Sequence, residues 1–120
     1  MKEHQETGTA GLDDFSQGVA ALSSWIDQGN VGRHPGAATW ARLSKITEEA
    51  GEVVAAYIGA TGQNPRKGVT HTASDVEEEL LDVALTALAA LEHLRGHDAR
   101  SGAMLADKLS RTLERAGLRS

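Results

Sequence analysis

Two short runs of this 120-residue sequence carry carboxylates at spacings suited to binding a cation: Glu48-Glu49-Ala50-Gly51-Glu52 and Glu79-Leu80-Leu81-Asp82. At about 100° per helical residue, Glu49 and Glu52 lie about 60° apart, as do Glu79 and Asp82, and Glu48 lies about 40° from Glu52. The first strip continues into Ala56. The second reads Asp75, Glu79, Asp82, Thr86 and Ala89, with leucines on both flanks. Two such strips facing each other would put four or five carboxylates in one cleft, where like charges resist ionising together. A divalent cation that prefers hard oxygen ligands, Mg²⁺ or Mn²⁺, removes that conflict. Periodicity alone also admits a solvated face. Charge patterns on helices usually mean solvation, and Glu77, Glu78 and Glu79 would complement the N-terminal dipole of their helix.

The elements that must hold these strips follow from the apolar spacing. Phe15, Val19, Leu22 and Ile26 recur at three- and four-residue steps, predicting a first helix from Leu12, with Asp13 or Asp14 at its start and Gly29 past its end. A second helix is expected from an N-cap at Thr39 to Ala60, burying Leu43, Ile46, Ala50, Val53, Val54, Tyr57 and Ile58. Gly62, Asn64-Pro65 and Gly68 make the following stretch a loop. Ser74 with Glu77 has the form of a capping box and opens a third helix that Gly96 stops. A fourth, over residues 98–116, aligns Leu105, Leu109 and Leu113. The third helix is apolar over most of its circumference, so its acidic strip is expected to face another element. This pattern predicts an all-α four-helix bundle, with residues 1–11 a flexible tail and 12–118 a single domain.

Composition narrows the function. The absence of cysteine excludes disulfides, thiolate metal sites and a cysteine nucleophile. A net charge of −5 without a basic stripe argues against binding a nucleic-acid polymer. The longest apolar run, Val83 to Leu91, is too short to span a bilayer, and the polar start has no apolar core of a signal peptide. A soluble, cytoplasmic protein is expected. A short chain rich in alanine and leucine predicts a homodimer or homotetramer whose interface completes the core.

Other residues are candidates for contacting a substrate. Arg66 and Lys67 place two cations in the loop between the acidic helices, and arginine can grip phosphate bidentately. Both also read as ordinary solvated loop charges. Lys45 stands one turn before Glu49, where it serves either a phosphate or an i,i+4 ion pair with Glu49 or a pair with Glu48. Trp40 could stack on a base or anchor its helix, and Trp25 reads as core or interface. His34 and His71 read as solvated loop residues. His93 and His97 have i,i+4 spacing, but Gly96 breaks the helix between them, so no metal role is expected there. No Glu-x-x-His pair occurs on the acidic helices, which favours Mg²⁺ over a di-iron centre.

The paired motifs, with "KITEEAGEVVAA" around the first and "EELLDVALTALAAL" around the second, resemble the MazG-like family of all-α nucleoside triphosphate pyrophosphatases. The resemblance covers about residues 38–95. It implies a bundle of that type and Mg²⁺-dependent hydrolysis of a nucleoside triphosphate to monophosphate and pyrophosphate, in nucleotide-pool house-cleaning. It also implies that Glu49, Glu52, Glu79 and Asp82 are the metal ligands. Glu48 matches the first motif position and would bind a further ion or orient water. If a carboxylate is the general base, Glu48 or Glu49 is the candidate. Phosphoribosyl-ATP pyrophosphohydrolases resemble the same motif pair but carry a Tyr-His pair where this chain has Leu85 and Thr86. That enzyme type, and a non-catalytic helical interaction or nucleotide-sensing module, are the alternative readings.

Overall fold

The computed structural model describes the backbone of residues 2–119 and the side chains of residues 11–119. Among these the regular secondary structure is entirely helical: α1 (Lys2–Gln28), α2 (Pro35–Thr61), α3 (Ala73–Leu94) and α4 (Ser101–Arg115). The all-α expectation is met. The expected tail over residues 1–11 falls almost wholly on residues whose side chains lie outside the described ones. The first helix, expected from Leu12, begins at Lys2, so Asp13 and Asp14 lie within α1 and not at its start.

The starts of α2 and α3 differ from expectation for identifiable reasons. α2 begins four residues before Thr39, because Pro35 occupies the first helical position, where its missing N–H costs nothing. His34 caps it, with Nδ1 accepting from Gly36 N at 3.0 Å. α3 is capped by Thr72 and Asp75 in place of Ser74 and Glu77. Thr72 N donates to Asp75 Oδ2 at 2.8 Å, and Asp75 N donates to Thr72 Oγ1 at 3.2 Å. This reciprocal pair is a capping box with a shorter acid, and the bond from Thr72 N holds the Asp75 carboxyl below its ordinary pKa. At the other end of α2, Gly62 adopts φ +64°, the left-handed conformation that closes a helix.

The chain divides into two compact units, residues 1–31 with 91–120, and residues 32–90. In the first, α1 packs on α4 through small residues. Ser16, Val19, Ala20 and Ser23 of α1 are buried, as are Ser101 and Gly102 of α4. Gly102 N donates to Ser16 Oγ at 3.0 Å, and a Cβ at Gly102 would press on that hydroxyl and on Leu12. In the second unit, Arg42 of α2 reaches across to donate to the Ala89 carbonyl of α3 at 2.9 Å.

Among the described residues the buried apolar side chains are Val19, which the spacing nominated, and the small Ala20, Ala56, Ala89 and Ala90, while most of the larger nominated residues are half-buried or exposed. Trp25, Tyr57, Leu80 and Leu81 are exposed, so Trp25 is not a core residue of the chain and α3 does not bury most of its circumference. A neighbouring helix covers one stripe of a helix and leaves the rest open. Among the described residues no helix is long and apolar enough to cross a membrane.

Candidate metal centre

The second unit brings the two acidic strips together. On α2, Glu49 is half-buried, Glu52 is exposed, and Ala56 and Gly59, one and two turns further along the same face, are buried. On α3, Glu79 is half-buried, Asp82 is exposed, Thr86 is half-buried and Ala89 is buried. Each acidic strip thus combines an exposed carboxylate with a half-buried one and runs toward a buried small residue, at the edge of an inward face. The carboxylates sit where that face opens toward water.

Glu49, Glu79 and Asp82 each offer one carboxylate oxygen, and these three atoms lie within 4.8 Å of one another. Glu52 belongs to the same cluster by its electrostatics. The charge of Glu49 raises its pKa above the ordinary glutamate value, with partial desolvation, the charge of Glu79 and hydrogen bonding to both carboxylates adding to the rise. Glu79 Oε2 is buried and has no hydrogen-bond partner. A buried acceptor left without a donor is costly, and so is a second carboxylate pressed against it. A cation supplies what both lack. Because the donors are all carboxylate oxygens, with no imidazole or thiolate among them, they fit a hard divalent ion such as Mg²⁺ or Mn²⁺.

The other sequence candidates divide. Glu48 stays out of the cluster: it is exposed, and Lys45 Nζ lies 3.2 Å from its Oε1. Lys45 also stands 3.3 Å from Glu49 Oε1, so its ammonium neutralises part of the acidic group. Those two partners, Glu48 foremost, raise the pKa of Lys45 and keep it charged. Trp40 is 70% exposed and does not anchor α2 by burial. Arg66 is exposed, with its backbone N–H donating to Asn64 Oδ1 in the turn after α2.

Lys67 lines a hollow of about 240 Å³ with Ala55, Ile58, Gly59, Asn64, Thr70 and His71. Glu52 and Gly59 are seven residues apart, which puts them on one face of α2 about 10 Å from each other along its axis. The hollow therefore continues the face that carries the carboxylates. Gly59 is what lets the loop close there. Thr70 N donates to the Gly59 carbonyl at 2.9 Å, and a Cβ at Gly59 would overlap the His71 ring. His71 is an exposed loop residue, as expected, and its ring also lies against Gly59 of α2 and takes part in a 2.9 Å hydrogen bond with Thr70 Oγ1.

Among the described residues a further group of ligating side chains, Asp27, His93 and His97, comes together in the first unit. Its signal in the sequence is the i,i+4 spacing of His93 and His97, and Gly96 between them does not keep the two apart. Comparison with protein-family profiles, with curated proteins and with solved structures found no match for the chain.

Proposed function

We propose that this chain is a Mg²⁺-dependent nucleoside triphosphate pyrophosphohydrolase, converting a (d)NTP and water to the monophosphate and pyrophosphate. The observation that carries this reading is the orphaned, buried Glu79 Oε2 within the group formed by Glu49, Glu52 and Asp82. An all-carboxylate cluster, only partly neutralised by Lys45, has little to offer an anionic substrate until cations fill it, and a polyphosphate is the substrate such cations recruit. The resemblance of the two motifs to the MazG-like family supports the same chemistry.

On this reading Glu49, Glu52, Glu79 and Asp82 hold the cation, with Mn²⁺ able to replace Mg²⁺. When bound, it neutralises charge on the phosphate oxygens and polarises the attacking water. Water attacks the α-phosphorus, the bond from that phosphorus to the α,β-bridging oxygen breaks, and pyrophosphate leaves with the bridging oxygen. Glu48 or Glu49 accepts the proton of the water. Lys67 and Arg66 supply positive charge to the phosphate chain, and exposed Trp40 offers a face to a base. Lys45 tunes the acidic group and does not grip the substrate.

The exposed Leu80, Leu81, Leu85, Val54 and Tyr57 beside the carboxylates supply an apolar surface for a second copy, so the active form is a homodimer or homotetramer. Removal of unwanted nucleotides from the cellular pool is the role this activity would serve. The test is pyrophosphate release from a panel of ribo- and deoxyribonucleoside triphosphates, with Mg²⁺ and with excess chelator. Metal-dependent release with equimolar monophosphate supports the proposal. Silence across the panel from folded protein contradicts it.

A further inference from the structure

The segment after α3 adopts a conformation that ordinary residues avoid. Gly96, His97 and Ala99 have φ of +71°, +64° and +59°, and two of the three carry a Cβ. Left-handed backbone is unfavourable at residues that carry a Cβ, and it persists only where the surroundings impose it. Glu92 imposes it. The Glu92 side chain is wholly buried, and its two carboxylate oxygens accept from Ala99 N at 2.9 Å and Ser101 N at 2.8 Å. Its backbone carbonyl accepts from His97 N at 2.8 Å. One buried side chain thus fixes the whole turn from α3 into α4.

The consequence is the position of His97. Its Nε2 lies 3.1 Å from Asp27 Oδ2 and 3.1 Å from Ser23 Oγ, both on α1. His93, in the last turn of α3, brings Nδ1 to 2.6 Å from the same Asp27 oxygen. Gly96, which interrupts the helix, is therefore what lets the two histidines converge. The three side chains are only partly covered, at 16% exposure for His93, 24% for Asp27 and 26% for His97, so an ion has a route in.

We propose that Asp27, His93 and His97 form a binding site for a first-row transition-metal dication of the Zn²⁺ type. Two imidazole nitrogens with one carboxylate are borderline ligands, unlike the all-oxygen group on α2 and α3. Tetrahedral zinc with ordinary bond lengths sets ligand atoms about 3.4 Å apart. The observed spacings of 2.6 and 3.1 Å approach this, and a shift of under about 1 Å completes it. The competing arrangement is a closed hydrogen-bond triad in which both ring nitrogens carry protons and donate to Asp27. The Glu92-locked turn holds His97 beside His93 and Asp27 before any ion arrives, so the ligand set is fixed in advance. The proposal stands independently of the phosphohydrolase reading.

The test uses the full chain, stripped of metal and held in excess Mg²⁺ so that the acidic group is filled, and titrates it with Co²⁺. The expected result is a visible absorption band of nitrogen-ligated Co²⁺ at one equivalent, abolished by Zn²⁺. The ring resonances of His93 and His97 should broaden before those of His34 and His71. H97Q and D27N should each weaken Co²⁺ binding about tenfold or more. The intact protein alone decides the matter if a variant fails to fold. His93 and His97 resonances that stay sharp at saturating Co²⁺, or broaden no sooner than those of His34 and His71, overturn the site. So does a Co²⁺ affinity unchanged in folded H97Q.

Discussion

Glu79 on α3 faces Glu52 on α2, and its charge, second only to that of Glu49 among the nearby charges, helps hold the Glu52 carboxyl above its ordinary pKa of 4.5. Two helices of the same unit thus present like charges to each other at the mouth of a face that is otherwise lined by buried alanine and glycine.

Because the folded protein holds the Glu52 proton more tightly than the unfolded chain does, stability falls as pH rises from 4.5 through the raised value. Asp75 and Asp98, whose pKa values are lowered, act in the opposite sense, stabilising above their ordinary 3.8 and losing that contribution as pH falls. Comparing Glu52→Gln with the parent cancels their effect. Without metal, the variant should melt higher than the parent at neutral pH, and the two should converge below pH 4.5. Mg²⁺ should raise the melting temperature of the parent more than that of the variant. Thermal denaturation across pH, with and without Mg²⁺, measures both.

Gly59 is a packing requirement and not a flexible joint. Gly59→Ala would push a methyl group into the His71 ring and toward Thr70 Oγ1, 2.5 Å away. Overpacking of this kind costs about 1–3 kcal/mol. A urea titration should show that loss, and any substrate-dependent activity should fall with it, because Lys67 and His71 share the displaced loop.

Glu92→Ala removes the acceptor of two backbone N–H groups, one of them buried. Leaving such donors unpaired costs about 2–4 kcal/mol. Chemical denaturation should report that loss, and hydrogen exchange at the Ala99 and Ser101 amides should accelerate relative to amides in the middle of α2.

Much of the acidic site was legible because i,i+3 spacing is local geometry: Glu49 and Glu79 with Asp82 needed only helices to align them. The starts of α2 and α3 are hard to read because two residue types there carry opposite signals. Pro35 reads as punctuation although proline also suits the first helical turn, and Thr72 with Asp75 outcompetes Ser74 with Glu77 for the cap. Large apolar residues were assigned to the core by periodicity, but periodicity gives a direction and not the extent of cover, and Leu80 and Leu81 remain exposed. The histidine cluster was illegible for a different reason. It depends on a strained turn held by Glu92, and no local rule predicts that His97 adopts positive φ.

If Lys67 neutralises the phosphate chain, Lys67→Gln should raise KM about tenfold with kcat little changed, the loss of one charge-assisted hydrogen bond. Lys108→Gln, an exposed charge on α4 in the other unit, should leave both constants as they are. Steady-state kinetics with the best triphosphate of the panel separates the two.

The most direct test of the central claim is the rate of pyrophosphate release from that triphosphate at saturating Mg²⁺, compared between the parent, Asp82→Asn and Glu79→Gln. Altering groups around metal ligands costs about 10–100-fold, so loss of a ligand should lower kcat by about 100-fold or more while the helical content of each variant is kept. Parent-like turnover in both folded variants would contradict the assignment of the α2–α3 carboxylates as the catalytic metal centre.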